Sequence, residues 1–165
     1  MGVNVKLFLT SILSVFIVSC ATQQYELPAN YKGSTAVLKN GINRSAGKLH
    51  AELYSVVEIN GVADNRSAIV TTGPYGTYTT TDREISRKIP TGRNLVKIRV
   101  SRLHAAPIIQ IADSATGAKQ SLSGDVYFKA IANRTYEVKG SLAKGQEAVW
   151  LQDNTTGRMV GRKIK

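Results

Sequence analysis

The chain has 165 residues and a mass of 17.9 kDa, which is enough for one domain with a substantial core and too little for two. Its single cysteine excludes an intrachain disulfide and a cysteine-rich zinc site. With 22 Lys+Arg against 11 Asp+Glu, the formal net charge is +11 and makes an anionic partner the first candidate.

The first 19 residues have the pattern of a secretory signal peptide. Lys6 supplies the positive region, and the stretch from Leu7 to Val18 is mostly apolar. A membrane span needs about 20 apolar residues, so this stretch is too short to span and has the length of a signal-peptide core. We therefore predict a signal peptide at residues 1–19.

The only cysteine lies where this stretch ends. Ile17-Val18-Ser19-Cys20 resembles a bacterial lipobox, the signal of exported lipoproteins. The resemblance implies attachment of a diacylglyceryl group to the Cys20 thiol, cleavage before Cys20 and acylation of the new amine. Ala21 resembles the residue that follows the cysteine in lipoproteins sorted to the outer membrane. The expected location is the bacterial cell envelope, lipid-anchored and facing the periplasm; the alternative is an ordinary signal peptide or uncleaved anchor with a chance cysteine.

Beyond the predicted cleavage site the chain divides into a tether and one domain. Removing residues 1–19 removes Lys6 alone among the charged residues, so the remaining chain has a net charge of +10. Residues 20–33 show no apolar period and predict a lipidated tether, with partial order through Tyr25, Leu27 and Tyr31 as the alternative. Residues 34–165 form the predicted domain.

From residue 34 onward the dominant hydrophobic period is two, which is typical of half-buried β-strands. The clearest strand covers residues 48–59, where Leu49, Ala51, Leu53, Ser55, Val57 and Ile59 share the more apolar face. It ends at Asn60-Gly61, a strong turn signal. Further strands are predicted around 35–39, 66–72, 96–100, 107–112, 126–132, 136–142, 146–152 and 158–164. No window of a dozen residues keeps a helical stripe, so the sequence predicts an all-β fold, an antiparallel β-sandwich of about 8 strands.

Two similar segments follow apolar runs, at residues 113–117 (DSATG) and 153–157 (DNTTG). Asp at the start and Gly at the end are typical of a turn, and we interpret both segments as hairpin turns. The alternative is a calcium loop, which needs more oxygen ligands than one carboxylate per segment supplies.

Four pieces within residues 51–161 carry a family resemblance: Tyr54-Ser55-Val56 with Ile59-Asn60-Gly61, Ile89-Pro90-Thr91-Gly92, Phe128-Lys129-Ala130 with Asn133-Arg134-Thr135-Tyr136, and Val149-Trp150-Leu151-Gln152-Asp153 with Thr156-Gly157. In these pieces the chain resembles small exported bacterial lipoproteins of the PEGA and DUF2846 families. Asn133 departs from the glycine often found at its position. The resemblance implies an immunoglobulin- or transthyretin-like sandwich. The matching pieces are structural motifs and include no catalytic residue of these families.

The residue pattern offers little catalytic chemistry. His50 and His104 are the only histidines, and neither lies in a metal-binding motif. Cys20 is unavailable as a nucleophile if it is acylated. A pair of carboxylates for glycoside hydrolysis is neither identifiable among the 11 acids nor excluded. We expect a protein that is not an enzyme and has no cofactor and no metal.

The basic residues are the main functional candidates. The segment from residue 83 to 102 contains seven cations and one acid, and five of these cations are candidate ligands for an anion or a protein partner: Arg87, Lys88, Arg93, Lys97 and Arg99. Candidate partners are lipopolysaccharide, anionic lipid headgroups or an envelope protein. The alternative is a solvated face whose charges discourage strand pairing. Nucleic acid is not expected, because export removes the opportunity and no aromatic residues alternate with the basic ones. A second basic cluster without acids lies at residues 158–165.

Tyr75 and Tyr78 lie in a loop that is rich in glycine and proline and are candidate contact residues. Their alternative role is to cover the end of a sheet. The sequence leaves three functional hypotheses: an accessory or binding module with a basic surface, a structural subunit of a secretion- or pilus-type assembly that pairs strand edges, and, with the least support, an envelope hydrolase.

Overall fold

The computed structural model describes residues 24–44, 50–64, 66, 70–72, 78–80, 85–104 and 107–165. Within these ranges the chain forms twelve strands and one helix. The elements are β1 (Thr35–Lys39), β2 (Gly41–Asn43), β3 (His50–Ile59), β4 (Val62–Ala63), β5 (Val70–Thr72), β6 (Tyr78–Thr80), β7 (Ser86–Pro90), β8 (Gly92–His104), α1 (Pro107–Ala115), β9 (Ser121–Ala130), β10 (Thr135–Ser141), β11 (Ala148–Asp153) and β12 (Met159–Ile164).

Ten of these strands form two mainly antiparallel sheets. The first sheet has the order β12-β11-β10-β1-β7, and the second has the order β2-β3-β8-β9 with β4 paired to β3. The pair of β1 and β10 is parallel, unlike the other pairs of the described strands. Among the strands that the structure describes, β5 and β6 pair only with each other. The prediction of a mostly β, mainly antiparallel chain is confirmed.

One hydrophobic core lies between the two sheets and contains residues from both. The predicted alternation holds in three strands, since Val96, Val126 and Val138 and the apolar residues two positions away are buried. Gly140 of β10 allows the sheets to approach, because a Cβ there would lie 2.9 Å from the carbonyl oxygen of Ala148 and within 3.2 Å of the second sheet.

The predicted strand over residues 48–59 is present as β3 from His50 to Ile59, with residues 48–49 outside the described ranges, but its buried face is the opposite of the expected one. Glu52, Tyr54 and Val56 point into the core, whereas Leu53 is only partly buried. A register shift between Val56 and Glu58 then reverses the alternation, so that Ile59 is buried again. The turn at Asn60-Gly61 is confirmed, with φ of 50° and 83°.

The predicted strand at 107–112 is wrong, because this segment is the helix α1. Pro107 occupies the first helical position, where proline is well tolerated. Gly117, with φ 72°, donates to the carbonyl of Ser114, and the following amide donates to the carbonyl of Asp113, which is the Schellman arrangement of a helix end. The segment at 113–117 is therefore a helix terminus, while that at 153–157 is the predicted turn between β11 and β12.

The described part of the predicted tether contacts the domain. Tyr25 is buried in the core cluster, and Nη2 of Arg66 donates to its carbonyl oxygen at 2.7 Å. The predicted signal peptide and Cys20 lie outside the described residues. Residues 66–72, predicted as one strand, contain β5 at their end, and residues 67–69 are outside the described ranges.

Candidate functional site: the β8–β9 face

Strand β8 places three of the five candidate cations on one surface. Val96, Ile98 and Val100 are buried, so the residues between them point away from the core. Arg93 and Arg99 are exposed on this outer side of the second sheet, and Lys97 lies between them with its side chain 40% exposed.

Arg87 does not belong to this surface, and its assignment as an exposed candidate is wrong. It alternates with Ile89 and, like that isoleucine, points into the protein from β7. Its guanidinium pairs with the fully buried carboxylate of Asp64, and its Nη1 donates to Oδ1 of Asn40 at 2.6 Å. The spacing of Ile85, Arg87 and Ile89 is the sequence signal that could have placed this arginine on an apolar face.

The buried pair belongs to a cluster that joins four segments of the chain. Asp64 also accepts a hydrogen bond from Nη2 of Arg66 at 2.6 Å, and the carbonyl of Arg66 accepts one from Arg87. Burial by itself raises the pKa of Asp64, but the hydrogen bonds from the two arginines outweigh it, and the pKa lies below 3.8. The cluster stays ionised at neutral pH and has a structural role.

Lys88 is exposed, but it lies on the other sheet. It follows Arg87 in β7 and therefore points to the outer side of the first sheet. The five candidate residues thus do not form one patch, because β7 and β8 enter different sheets at the corner around Gly92. That glycine has φ 93°, and the buried Asn94 holds the corner by donating to the carbonyls of Pro90 and Gly92.

The pairing of β8 with β9 decides which cations are neighbours. Arg93 lies directly opposite Lys129, and Lys97 lies opposite Asp125. Side chains of directly opposed residues share one face of the sheet. We call this surface, formed by Arg93, Leu95, Lys97, Arg99, Asp125, Tyr127 and Lys129, the β8–β9 face.

Charge on the β8–β9 face is unevenly distributed. In the middle, Lys97 donates to Oε2 of Glu58 at 3.2 Å and also faces Asp125, so its charge is compensated. At one end, Arg93 and Lys129 are both exposed and face each other, and neither pairs with a carboxylate among the residues that the structure describes. Like charges directly opposite each other destabilise a sheet, so this end favours an external anion.

Tyr127 and Lys129 are members of this face that sequence reasoning did not select. Tyr127 is 69% exposed and lies opposite Leu95. On this face, these two residues form the pair next to Arg93 and Lys129. The period-two pattern already placed both residues on the polar side of their strand. Their neighbourhood with Arg93 depends on strand pairing, for which the sequence carries no local signal.

A second polar cluster attaches α1 to the second sheet. Oδ2 of Asp113 accepts from Nη1 of Arg102 at 3.0 Å and lies 2.9 Å from Nε2 of the buried His104. The hydrogen bond with His104 and the neighbouring arginine hold the pKa of Asp113 below 3.8. The ring of His50 lies beside that of His104, with centroids 6.3 Å apart. This arrangement holds the helix in place.

The remaining candidates are the two tyrosines, and the described part of the structure contains neither of their side chains. Tyr75 is outside the described residues, and of Tyr78 only the backbone is described, as the first residue of β6. Within the described ranges, no group of three or more His, Cys, Asp or Glu residues is arranged to hold a metal ion, and no helix there has the length and apolar character to cross a membrane.

Comparisons with protein-family models, with curated proteins and with solved structures gave no match for this chain.

Proposed function

We propose that the chain is a lipid-anchored accessory or binding module of the bacterial cell envelope, attached through Cys20 and facing the periplasm from the outer membrane. The two packed sheets would form an immunoglobulin- or transthyretin-like sandwich. Its ligand is the phosphate group of an anionic envelope lipid, bound at the end of the β8–β9 face where Arg93 and Lys129 meet.

The opposed pair of Arg93 and Lys129 is the observation that carries this proposal. Two exposed cations in directly opposite positions repel each other, and an arginine beside a lysine offers a phosphate several donors at once. The exposed Tyr127 adds a ring with a hydroxyl next to them. Lys97 contributes less because Glu58 and Asp125 compensate its charge.

The test holds the full chain in nanodiscs of phosphatidylcholine and measures capture of vesicles that contain either lipopolysaccharide or phosphatidylglycerol at equal phosphate density. Each basic residue near an anionic membrane contributes about 1 kcal/mol, so Arg93→Glu/Lys129→Glu should weaken capture by at least about 30-fold. Capture should also fall steeply towards about 1 M salt, where the screening length is about 3 Å. The two vesicle types identify which lipid supplies the phosphate.

The matched control is Lys88→Glu/Lys144→Glu, which makes the same change in net charge with two exposed lysines away from the β8–β9 face. Retained capture by this variant would assign binding to the face rather than to overall charge. Equal losses in both double variants would refute the proposed site. Salt-insensitive retention of a single protein partner would instead favour the structural-subunit hypothesis.

The anchor is tested separately with Cys20→Ser in intact bacteria. The lipidated protein should fractionate with the outer membrane, and the variant should lose both this attachment and the mobility of the mature form. A variant that keeps both would exclude lipidation at Cys20.

A further inference from the structure

A cleft lies at the opposite end of the strands from the Arg93–Lys129 pair, on the first sheet. The loop after β10, the start of β11 and the end of β12 line this open cleft, whose volume of about 390 Å³ is within the range of about 300 to 1,000 Å³ typical of small-molecule sites. Its polar and aromatic lining residues are Ser141, Gln146, Glu147, Trp150, Lys163 and Lys165.

Trp150 forms the aromatic wall of this cleft. Its neighbours Val149 and Leu151 are fully buried, so the indole points to the outer side of the first sheet, where it is half-buried. The ammonium of Lys163 lies 4.8 Å from the ring centroid. An indole face of this kind offers apolar contact area together with attraction for polarised C–H groups and cations.

Charges of both signs line the remaining walls. Lys163 and Lys165 are exposed cations at the end of β12. The backbone amides of Glu147 and Gly145, together with the charges of Lys119 and Lys144, lower the pKa of the Glu147 carboxyl. The lining of the cleft therefore contains one ionised carboxylate and two ammonium groups.

We propose that this cleft binds a pyranose that carries an anionic group, either a carboxylate or a phosphate. The sugar ring takes the place of the Lys163 ammonium over the indole of Trp150, and the anionic group pairs with the displaced ammonium of Lys163 and with that of Lys165. Sugar hydroxyls donate to the carboxylate of Glu147, and the side chains of Gln146 and Ser141 complete the polar contacts. A neutral apolar ligand would leave these charges without partners, which disfavours it.

This site is separate from the β8–β9 face. It lies on the other sheet and shares no residue with it. The two proposals can therefore fail independently.

Trp150 is the only tryptophan of the chain, so its fluorescence reports on this cleft alone. The full chain, in a detergent without a sugar headgroup, is titrated with glucuronic acid and with glucose 6-phosphate. Glucose and inorganic phosphate are the two comparison ligands. We expect a saturable fluorescence change with at least one anionic sugar, and at least tenfold weaker effects with glucose, which lacks the charge, and with phosphate, which lacks the ring.

Lys163→Ala should weaken binding of the anionic sugar at least tenfold, because a hydrogen bond to a charged group contributes about 1.5 kcal/mol or more. Arg93→Glu/Lys129→Glu should leave sugar binding unchanged, which separates this test from that of the proposed function. Trp150→Ala removes the fluorescent residue, so its binding of the anionic sugar is measured by calorimetry. Its affinity for the sugar should also fall, because the variant lacks the ring that the sugar contacts. Absence of saturation with both anionic sugars, or equal binding of inorganic phosphate, would overturn the proposal.

Discussion

Replacing Arg87 by methionine should destabilise the fold strongly, although the next residue of the same strand, Lys88, is an exposed cation. The Arg87 side chain is 1% exposed, and its guanidinium donates to Asp64, to Asn40 and to the carbonyl of Arg66. Methionine fills much of the same volume but removes every one of these donors. Asp64, with no exposed side-chain surface, then loses its most buried partner.

The expected loss of stability depends on the partners that Asp64 keeps in the variant. Breaking a buried ion pair costs about 3 to 5 kcal/mol, and we expect the lower end, about 3 kcal/mol, because Arg66 still holds Asp64. For a domain of this size, that free energy corresponds to a decrease in Tm of about 10 °C. The neighbouring substitution Lys88→Met is the matched control and should change stability by less than about 0.5 kcal/mol, because Lys88 is exposed.

Urea denaturation of the full chain, followed by circular dichroism at neutral and acidic pH, measures both effects. The folded pKa of Asp64 is depressed below 3.8, so its contribution is complete above the unfolded pKa and disappears as pH falls through the folded value. The stability difference between wild type and Arg87→Met should therefore shrink in acid. An Arg87→Met variant as stable as Lys88→Met, or a difference that grows in acid, would refute the buried-pair reasoning.

Three further substitutions test other parts of the structure. Gly140→Ala should destabilise by about 1 to 3 kcal/mol in the same denaturation assay, because the new methyl group would crowd the carbonyl of Ala148 between the sheets. Asp113→Asn should lower the hydrogen-exchange protection of the α1 amides by removing the ion pair with Arg102. Wild-type α1 should lose the same protection only when the pH falls through the depressed folded pKa of Asp113, which lies below 3.8. Asn133 has φ 60°, so Asn133→Gly should be neutral or stabilising while Asn133→Val costs about 1 to 2 kcal/mol, and equal stabilities of the two variants would contradict this assignment of strain.

Strand locations were predictable wherever a strand keeps one buried face throughout. The alternation in β8, β9 and β10 identifies the buried residues correctly, because a period of two assigns each side chain to a face without knowledge of the partner strands. The same reasoning selected the wrong face of β3, because both faces there carry apolar residues. The register shift after Val56 also cannot be recognised from the residue pattern.

The strand prediction for residues 107–112 failed for a different reason, and the segment forms the helix α1. Residues 107–112 are apolar and adjoin a turn-like segment, and both features are shared by short strands and short helices. The helical conformation is stabilised by contacts of Asp113 with Arg102 and His104, two residues of another element. Ile108 and Ile111 are 73% and 68% exposed, so core burial was not the reason for their hydrophobicity.

Local patterns determined the mostly β, mainly antiparallel character of the chain, its turns at Asn60-Gly61 and residues 153–157, and its positive charge, and they made Cys20 the candidate anchor. These properties depend on residues that are close in the chain. Only the tertiary structure placed Arg87 inside and Lys88 on the first sheet, opposed Arg93 to Lys129, and brought Lys163 and Lys165 to Trp150. Strand order and register are set by contacts between residues far apart in sequence, so a cation's neighbours, and with them its function, follow from the packing of the sheets.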